Sequence, residues 1–101
     1  MPKKILQINM KYKIPADALA KAFMELAKPI ADMKGLEWKV WLHDPEKMAG
    51  GIYLFKDQAS VNGYLNSKIV ADLMKNPAVS DIDARVFDVL PEHSKVTRAP
   101  I

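Results

Sequence analysis

The chain has 101 residues, half of them hydrophobic and 27% charged, with a formal net charge of +3 and no cysteine. That length suits one domain, 1–101, with a modest core, and the missing thiols exclude disulfides, cysteine nucleophiles and cysteine-ligated metals. Thirteen scattered lysines beside only Arg85 and Arg98 argue against nucleic-acid binding, and no stretch nears the ~18 apolar residues of a membrane span. No apolar run follows Met1-Pro2-Lys3-Lys4, so a cytoplasmic location with no membrane partner is expected.

Residues Lys4–Tyr12 alternate, with Leu6, Ile8, Met10 and Tyr12 on one side and Ile5, Gln7, Asn9 and Lys11 on the other, which predicts a first strand. Pro15 suits the first turn of a helix running to about Lys34. Leu19, Phe23, Leu26, Ile30 and Met33 form its apolar stripe, and Lys21, Glu25, Lys28 and Asp32 the opposite one. Pro29 should kink this helix or split off its last turn, and Gly35 ends it. A second strand covers Leu36–Asp44, the turn Asp44–Met48 follows, and a third strand runs from Ala49 to Phe55. Asp57 is the expected N-cap of a helix carrying Val61, Tyr64 and Leu65. Ser67 caps another carrying Ile69, Val70, Leu73 and Met74, which Asn76-Pro77 stops. A fourth strand spans about Asp81–Val89. The tail from Pro91 is polar and shows no pattern.

The order β-α-β-β-α-β predicts an α+β, ferredoxin-like sandwich with helices over one face of an antiparallel sheet. Strict alternation assigns Leu6/Ile8/Met10, Leu36/Trp38/Val40/Leu42, Ile52/Leu54 and Ile82/Ala84/Val86 to the helix side. The other side then carries Asn9, Lys39, Trp41, His43, Tyr53, Phe55, Arg85, Phe87 and Val89. Trp41, Tyr53, Phe55, Phe87 and Val89 are too large a set to leave in water, because each contributes roughly 1.5–3 kcal/mol when buried. That face is therefore expected to pair with a second copy, enclosing a pocket for a small aromatic substrate.

The segments Leu36-x-Trp38-Lys39-Val40-Trp41, Ala49-Gly50-Gly51-Ile52-Tyr53-Leu54-Phe55, Tyr64-Leu65 and Val86-Phe87-Asp88-Val89 resemble the pattern of the YdhR-type monooxygenases. The resemblance implies a dimeric α+β barrel related to antibiotic-biosynthesis monooxygenases and heme-degrading proteins. It also allows the tail, 90–101, to reach the partner subunit. In heme-degrading relatives a first-strand asparagine holds an oxygen intermediate or substrate carbonyl, and Asn9 stands in a comparable place. A structural hydrogen bond serves Asn9 equally well.

His43 is the candidate general base, since its ordinary pKa lies nearest neutrality; its place beside a turn also suits a solvated histidine. Trp41, Tyr53, Phe55 and Phe87 can stack on a flat substrate or fill a dimer core. Arg85 can anchor an anionic oxygen or pair with Asp83, Asp88 or Glu37. Gly50-Gly51 lacks the helix and Lys-Ser/Thr of a phosphate loop and reads as a bulge or close backbone approach.

No flavin, nicotinamide or metal motif appears, and His43 and His93 have no carboxylate at ligand spacing. The expected activity is therefore a cofactor-independent monooxygenase acting on a quinol- or anthrone-like compound, with a non-catalytic ligand-binding or stress-response dimer as the alternative.

Overall fold

The computed structural model describes residues 2–101 as one four-stranded antiparallel sheet with helices on it. The elements are β1 (Lys4–Tyr12), α1 (Ala16–Ala31), β2 (Leu36–His43), β3 (Met48–Phe55), α2 (Gln58–Leu65), α3 (Lys68–Lys75), β4 (Val79–Asp88) and α4 (Pro91–Val96). The strand order β2-β3-β1-β4 is that of a ferredoxin-like α+β fold. Apolar β1 lies at the centre, paired to both β3 and β4.

Three helices cover one face of the sheet: α1 lies against β2, α2 against β1 and β3, and α3 against β4. Leu19 and Ile30 of the α1 stripe are buried, and Phe23, Leu26 and Met33 pack against the same core. Asp57 caps α2, its carboxylate accepting hydrogen bonds from the Ser60 amide at 2.9 Å and hydroxyl at 2.6 Å. Those bonds hold the Asp57 carboxyl below its ordinary pKa, the hydroxyl contributing most. Gly35 takes φ +85° after α1, and a side chain there would strike Ser60, so this turn needs glycine on both counts. No helix is long and apolar enough to cross a membrane.

Three expectations change, two about α1 and one about the tail. Pro29 does not split α1; the helix continues to Ala31, and the Asp32 amide still donates to the Lys28 carbonyl at 3.0 Å. The helix also stops short of Lys34, at Ala31. The tail holds the short helix α4, which starts on Pro91 and escapes the pattern reading because six mostly polar residues show no period.

The larger correction concerns which side chains meet the helices. Leu6 pairs with Tyr53 and with Val86, and Ile8 with Gly51 and Ala84. Directly paired residues share a face, so Tyr53 and Phe55 stand on the helix side, where both are buried. In β2, Leu36 pairs with Phe55 but Trp38 with Leu54, leaving Glu37 as one extra residue. This bulge reverses the alternation beyond it. Lys39, Trp41 and His43 therefore turn toward the helices, while Trp38, Val40 and Leu42 turn away with Ile52 and Leu54.

The assignments for β1 and β4 hold. Asn9, Arg85 and Phe87 lie on the open face as expected, by pairing with Gly50 and Asp83, with Gln7, and with Ile5 respectively. The open face is thus still apolar, but through Ile5, Trp38, Val40, Leu42, Ile52, Leu54 and Phe87. Val40 is 49% exposed and Phe87 46%. At one end the tail folds over this face, and the Trp38 indole Nε1–H donates to the Pro100 carbonyl at 2.9 Å.

Candidate active site

The chemistry of the helix-covered side begins with the register of β2 against β3. Lys39 pairs with Tyr53, Trp41 with Gly51, and His43 with Ala49. Gly51 brings no side chain opposite Trp41, and the arm of Lys39 occupies that space. A Cβ on Gly51 would stand 2.5 Å from Lys39 Cε. Neighbouring Gly50 serves a different purpose, since its Cα passes so close to the Ile8 carbonyl that no side chain fits. The glycine pair is therefore one close backbone approach and one cradle for a lysine, with no phosphate loop.

Lys39 ends among rings. Its Nζ lies 3.2 Å from the centroid of the Trp41 ring and 4.4 Å from that of Tyr53, a geometry in which the π-faces attract the ammonium. Tyr53 stacks near Phe55 and tilts against Tyr64, with centroids 6.0 and 5.0 Å apart. The Tyr53 and Tyr64 hydroxyls share a hydrogen bond of 2.9 Å. Among the described residues no ion pair involves Lys39. Glu37, on the same strand, is held by Lys3 at 3.0 Å.

Burial with no carboxylate partner lowers the Lys39 pKa from 10.5 to about 7, because desolvation penalises the charged amine. Burial also raises both Tyr53 and Tyr64 above the ordinary tyrosine value. The two hydroxyls therefore stay protonated at neutral pH, as hydrogen-bond donors and not as bases.

Trp41 divides the space beneath α1. On one side a cleft of about 270 Å³ runs between α1 and β2, lined by Leu19, Phe23, Met24, Trp41 and His43 among others. On the other a groove of about 300 Å³ is lined by Ala27, Ile30, Leu36, Glu37, Lys39 and Trp41. Ala27 and Trp41 belong to both, so the two adjoin at the indole. A further void of about 20 Å³ lies inward, bounded by Lys39, Trp41, Tyr53 and Tyr64 together with apolar residues of α1 and α3. Phe23 tilts against Trp41 with centroids 5.0 Å apart. The result is an aromatic recess with one titratable amine near neutrality, the composition of a small-molecule site.

The expected site residues divide between the two faces. The structure brings Trp41 and Tyr53 together around Lys39 and places exposed His43 at the rim of the α1 cleft. Phe55 is fully buried behind Tyr53 and Tyr64, in the core. Asn9, Arg85 and Phe87 lie across the sheet, away from this recess, and Arg85 Nε donates to Asp83 at 2.9 Å. The single enclosed face carrying Trp41, Asn9 and Arg85 together is therefore corrected.

Sequence reasoning grouped Lys39 with Trp41 and Tyr53 but on the open face and without a role, because neither glycine nor proline marks the bulge at Glu37 that turns this side of β2 under the helices. The available signal was a lysine between two tryptophans on a strand facing a Gly-Gly pair. No group of three or more histidine, aspartate or glutamate side chains able to hold a metal occurs among the described residues.

A family model described as "Putative mono-oxygenase ydhR" matches residues 5–100. No curated protein matches the chain. Among solved structures, it is similar to the NE2512 protein of unknown function from Nitrosomonas europaea, with 26% identity, TM-score 0.72, and 89% of this chain and 91% of that one covered. It shares its fold with SnoaB, a cofactor-independent oxygenase from Streptomyces nogalater, at 13% identity and TM-score 0.71, covering 90% and 99% of the two chains.

Proposed function

The chain belongs to the family described as "Putative mono-oxygenase ydhR", and from that premise we propose that it is a cofactor-independent monooxygenase of small phenolic, quinol- or anthrone-like compounds. Membership supports a general monooxygenase role, and the likeness to SnoaB supplies a precedent for such chemistry on this fold. The observation that carries the reading is the pair of openings under α1 that meet at the Trp41 indole, one lined by Phe23 and the other by Lys39.

Oxygenation without a cofactor draws its electrons from the substrate. In an anthrone-like compound the ring CH2 becomes a carbonyl, one oxygen atom enters the product, and the other leaves as water. The protein then has to hold the ring flat, to exclude bulk water, and to stabilise the anion from which electrons pass to oxygen. Trp41 and Phe23 suit the first of these roles and the α1 stripe the second; the third falls to a polar group that borders the openings, since the Tyr53 hydroxyl is buried and bonded to Tyr64. His43 keeps a place at the rim of the cleft.

A second copy of the chain covers the open face in this reading. The support is that face's composition, with Val40 and Phe87 half exposed beside Trp38, Leu42 and Ile52. Apolar sheet of this extent marks an interface.

The experiment is oxygen uptake with a panel of hydroquinones, naphthols and anthrone, followed by mass analysis of products formed under isotopically heavy oxygen. We expect one heavy atom per product molecule and a kcat/KM lowered about tenfold or more by Trp41→Ala. Asn9→Ala, on the far face, should leave turnover intact. A panel that binds without oxygen uptake would overturn the oxygenase reading in favour of a ligand-binding protein.

A further inference from the structure

The geometry points to Lys39 as the residue that takes the proton from the substrate hydroxyl and then holds the resulting anion, so the substrate class is a phenol or enol bound in ionised form. The inference rests on the reading of the recess as the substrate site.

Four observations carry it. First, the amine is placed by the fold: the Glu37 bulge turns it inward, and Gly51 leaves room for its arm. Second, it lies along Trp41, the ring that borders both openings under α1. Third, it faces no competing base. The groove side of α1 offers Ala27 and Ile30, α3 offers Ile69 and Leu73, and β1 offers Met10. The titratable groups around the recess are Glu37, already paired with Lys3, Tyr53 and Tyr64, bonded to each other, and His43, which lines the α1 cleft but neither the groove nor the inner void that Lys39 borders. Fourth, the amine has no carboxylate counter-ion among the described residues, so an anionic ligand would be its first full partner.

An amine near neutrality alternates between base and cation. Neutral Lys39 accepts the hydroxyl proton, giving an ammonium and a phenolate or enolate. No electrons move in this step, and the proton stays on Nζ. The ion pair forms where the amine is largely buried, which strengthens it, and the anion so held is far easier to oxidise than the neutral hydroxyl form. Lysine suits both halves of the step, whereas arginine would remain charged and serve only the second.

The test uses 4-nitrophenol, whose anion absorbs at longer wavelength than the neutral form. At mildly acidic pH, where the free probe is mostly neutral, the wild-type protein should show the anion spectrum on binding. Lys39→Met should bind it neutral, or at least about tenfold more weakly. Lys39→Arg should restore the anion spectrum.

The proton-transfer half is read with 2-naphthol by calorimetry at pH 8.5 in buffers of different ionisation enthalpy. Wild type should exchange almost no proton with buffer, and Lys39→Arg should release about one per probe bound. An anion spectrum that persists in Lys39→Met, a neutral bound probe in the wild type, or no binding would each overturn the proposal. If the Lys39-dependent anion forms but no oxygen is consumed with any phenol, the oxygenase reading falls while the role of Lys39 stands. If oxygen uptake in Lys39→Met keeps the wild-type rate and pH profile, Lys39 loses its role and the oxygenase reading survives.

Discussion

Lys39 has to remain stable in its slot before any ligand arrives, and its ring contacts offset only part of the cost of burying a charge. Cation–π attraction supplies about 1–2 kcal/mol in a partly desolvated site, whereas moving an ammonium out of water costs several. The sign of the pH dependence follows. The folded pKa, about 7, lies below the unfolded value of 10.5, so between these the unfolded chain binds more protons. The penalty is fully present below pH 7 and is relieved as pH rises toward 10. Burial raises the pKa of Tyr53 and of Tyr64, and since both are present in wild type and variant their effect cancels in the comparison. Lys39→Met should therefore stabilise the protein at pH 6, by about 2 kcal/mol after allowing for solvent screening. The gain should shrink toward pH 10, as thermal melts across that range would show. A gain over wild type no larger at pH 6 than at pH 10 would contradict the burial of the amine.

The paired strands β2 and β3 carry most of what was hard to read. In β1 one parity is uniformly apolar and the other contains Gln7, Asn9 and Lys11, so the buried face of the strand was legible. β4 was legible too, because Asp83 and Arg85 mark the outward parity. In β3 both parities are apolar, Ile52/Leu54 against Tyr53/Phe55, and only pairing with Leu6 decides between them. In β2 the bulge at Glu37 makes any strict alternation wrong beyond that point.

The neighbouring glycines give the sharpest check on this arrangement. Gly50→Ala would drive a methyl into the Ile8 backbone, which cannot yield, and should destabilise by about 2–3 kcal/mol or prevent folding. Gly51→Ala meets chiefly the flexible end of Lys39, with the Val40 carbonyl oxygen 3.2 Å away, so the chain should fold with a loss of about 1 kcal/mol. The methyl should also displace Lys39 and return its titration toward that of an ordinary lysine, measurable by site-resolved NMR titration. Equal damage from both changes would mean that Lys39 does not occupy the cradle.

For the whole molecule, the β-α-β-β-α-β order, and with it the ferredoxin-like fold, was legible from element types alone. The second apolar face was legible only as a quantity. Too many large side chains were present for one core, although the residues assigned to the surplus were partly the wrong ones. Placing Trp41, Tyr53 and Phe55 inside moves Trp38, Val40 and Ile52 to the open face, and a surplus survives the exchange even though Leu54 on that face is already buried. Dimerisation through that face should therefore be sensitive to charge. Val40→Asp with Phe87→Asp removes two half-exposed apolar side chains, together about 3 kcal/mol of burial, and should weaken association by roughly 100-fold or more. Light scattering on wild type and variant at micromolar concentration would show a dimer and a monomer; a monomeric wild type would remove the second copy from the proposal.

The bulge at Glu37 has one more effect. Trp38 and Trp41 are the chain's two indoles, and one extra residue between Leu36 and Trp38 sends them to opposite sides of the sheet. Trp38 donates to the tail carbonyl of Pro100, and Trp41 lies under the amine of Lys39 and against Phe23. The molecule thus contains two intrinsic fluorophores in separate compartments. With Trp38 replaced by phenylalanine, the remaining emission should follow whatever enters beneath α1, quenched or shifted by a bound ring. With Trp41 replaced, it should follow the docking of the tail and the closing of the open face, and stay silent to the ligand.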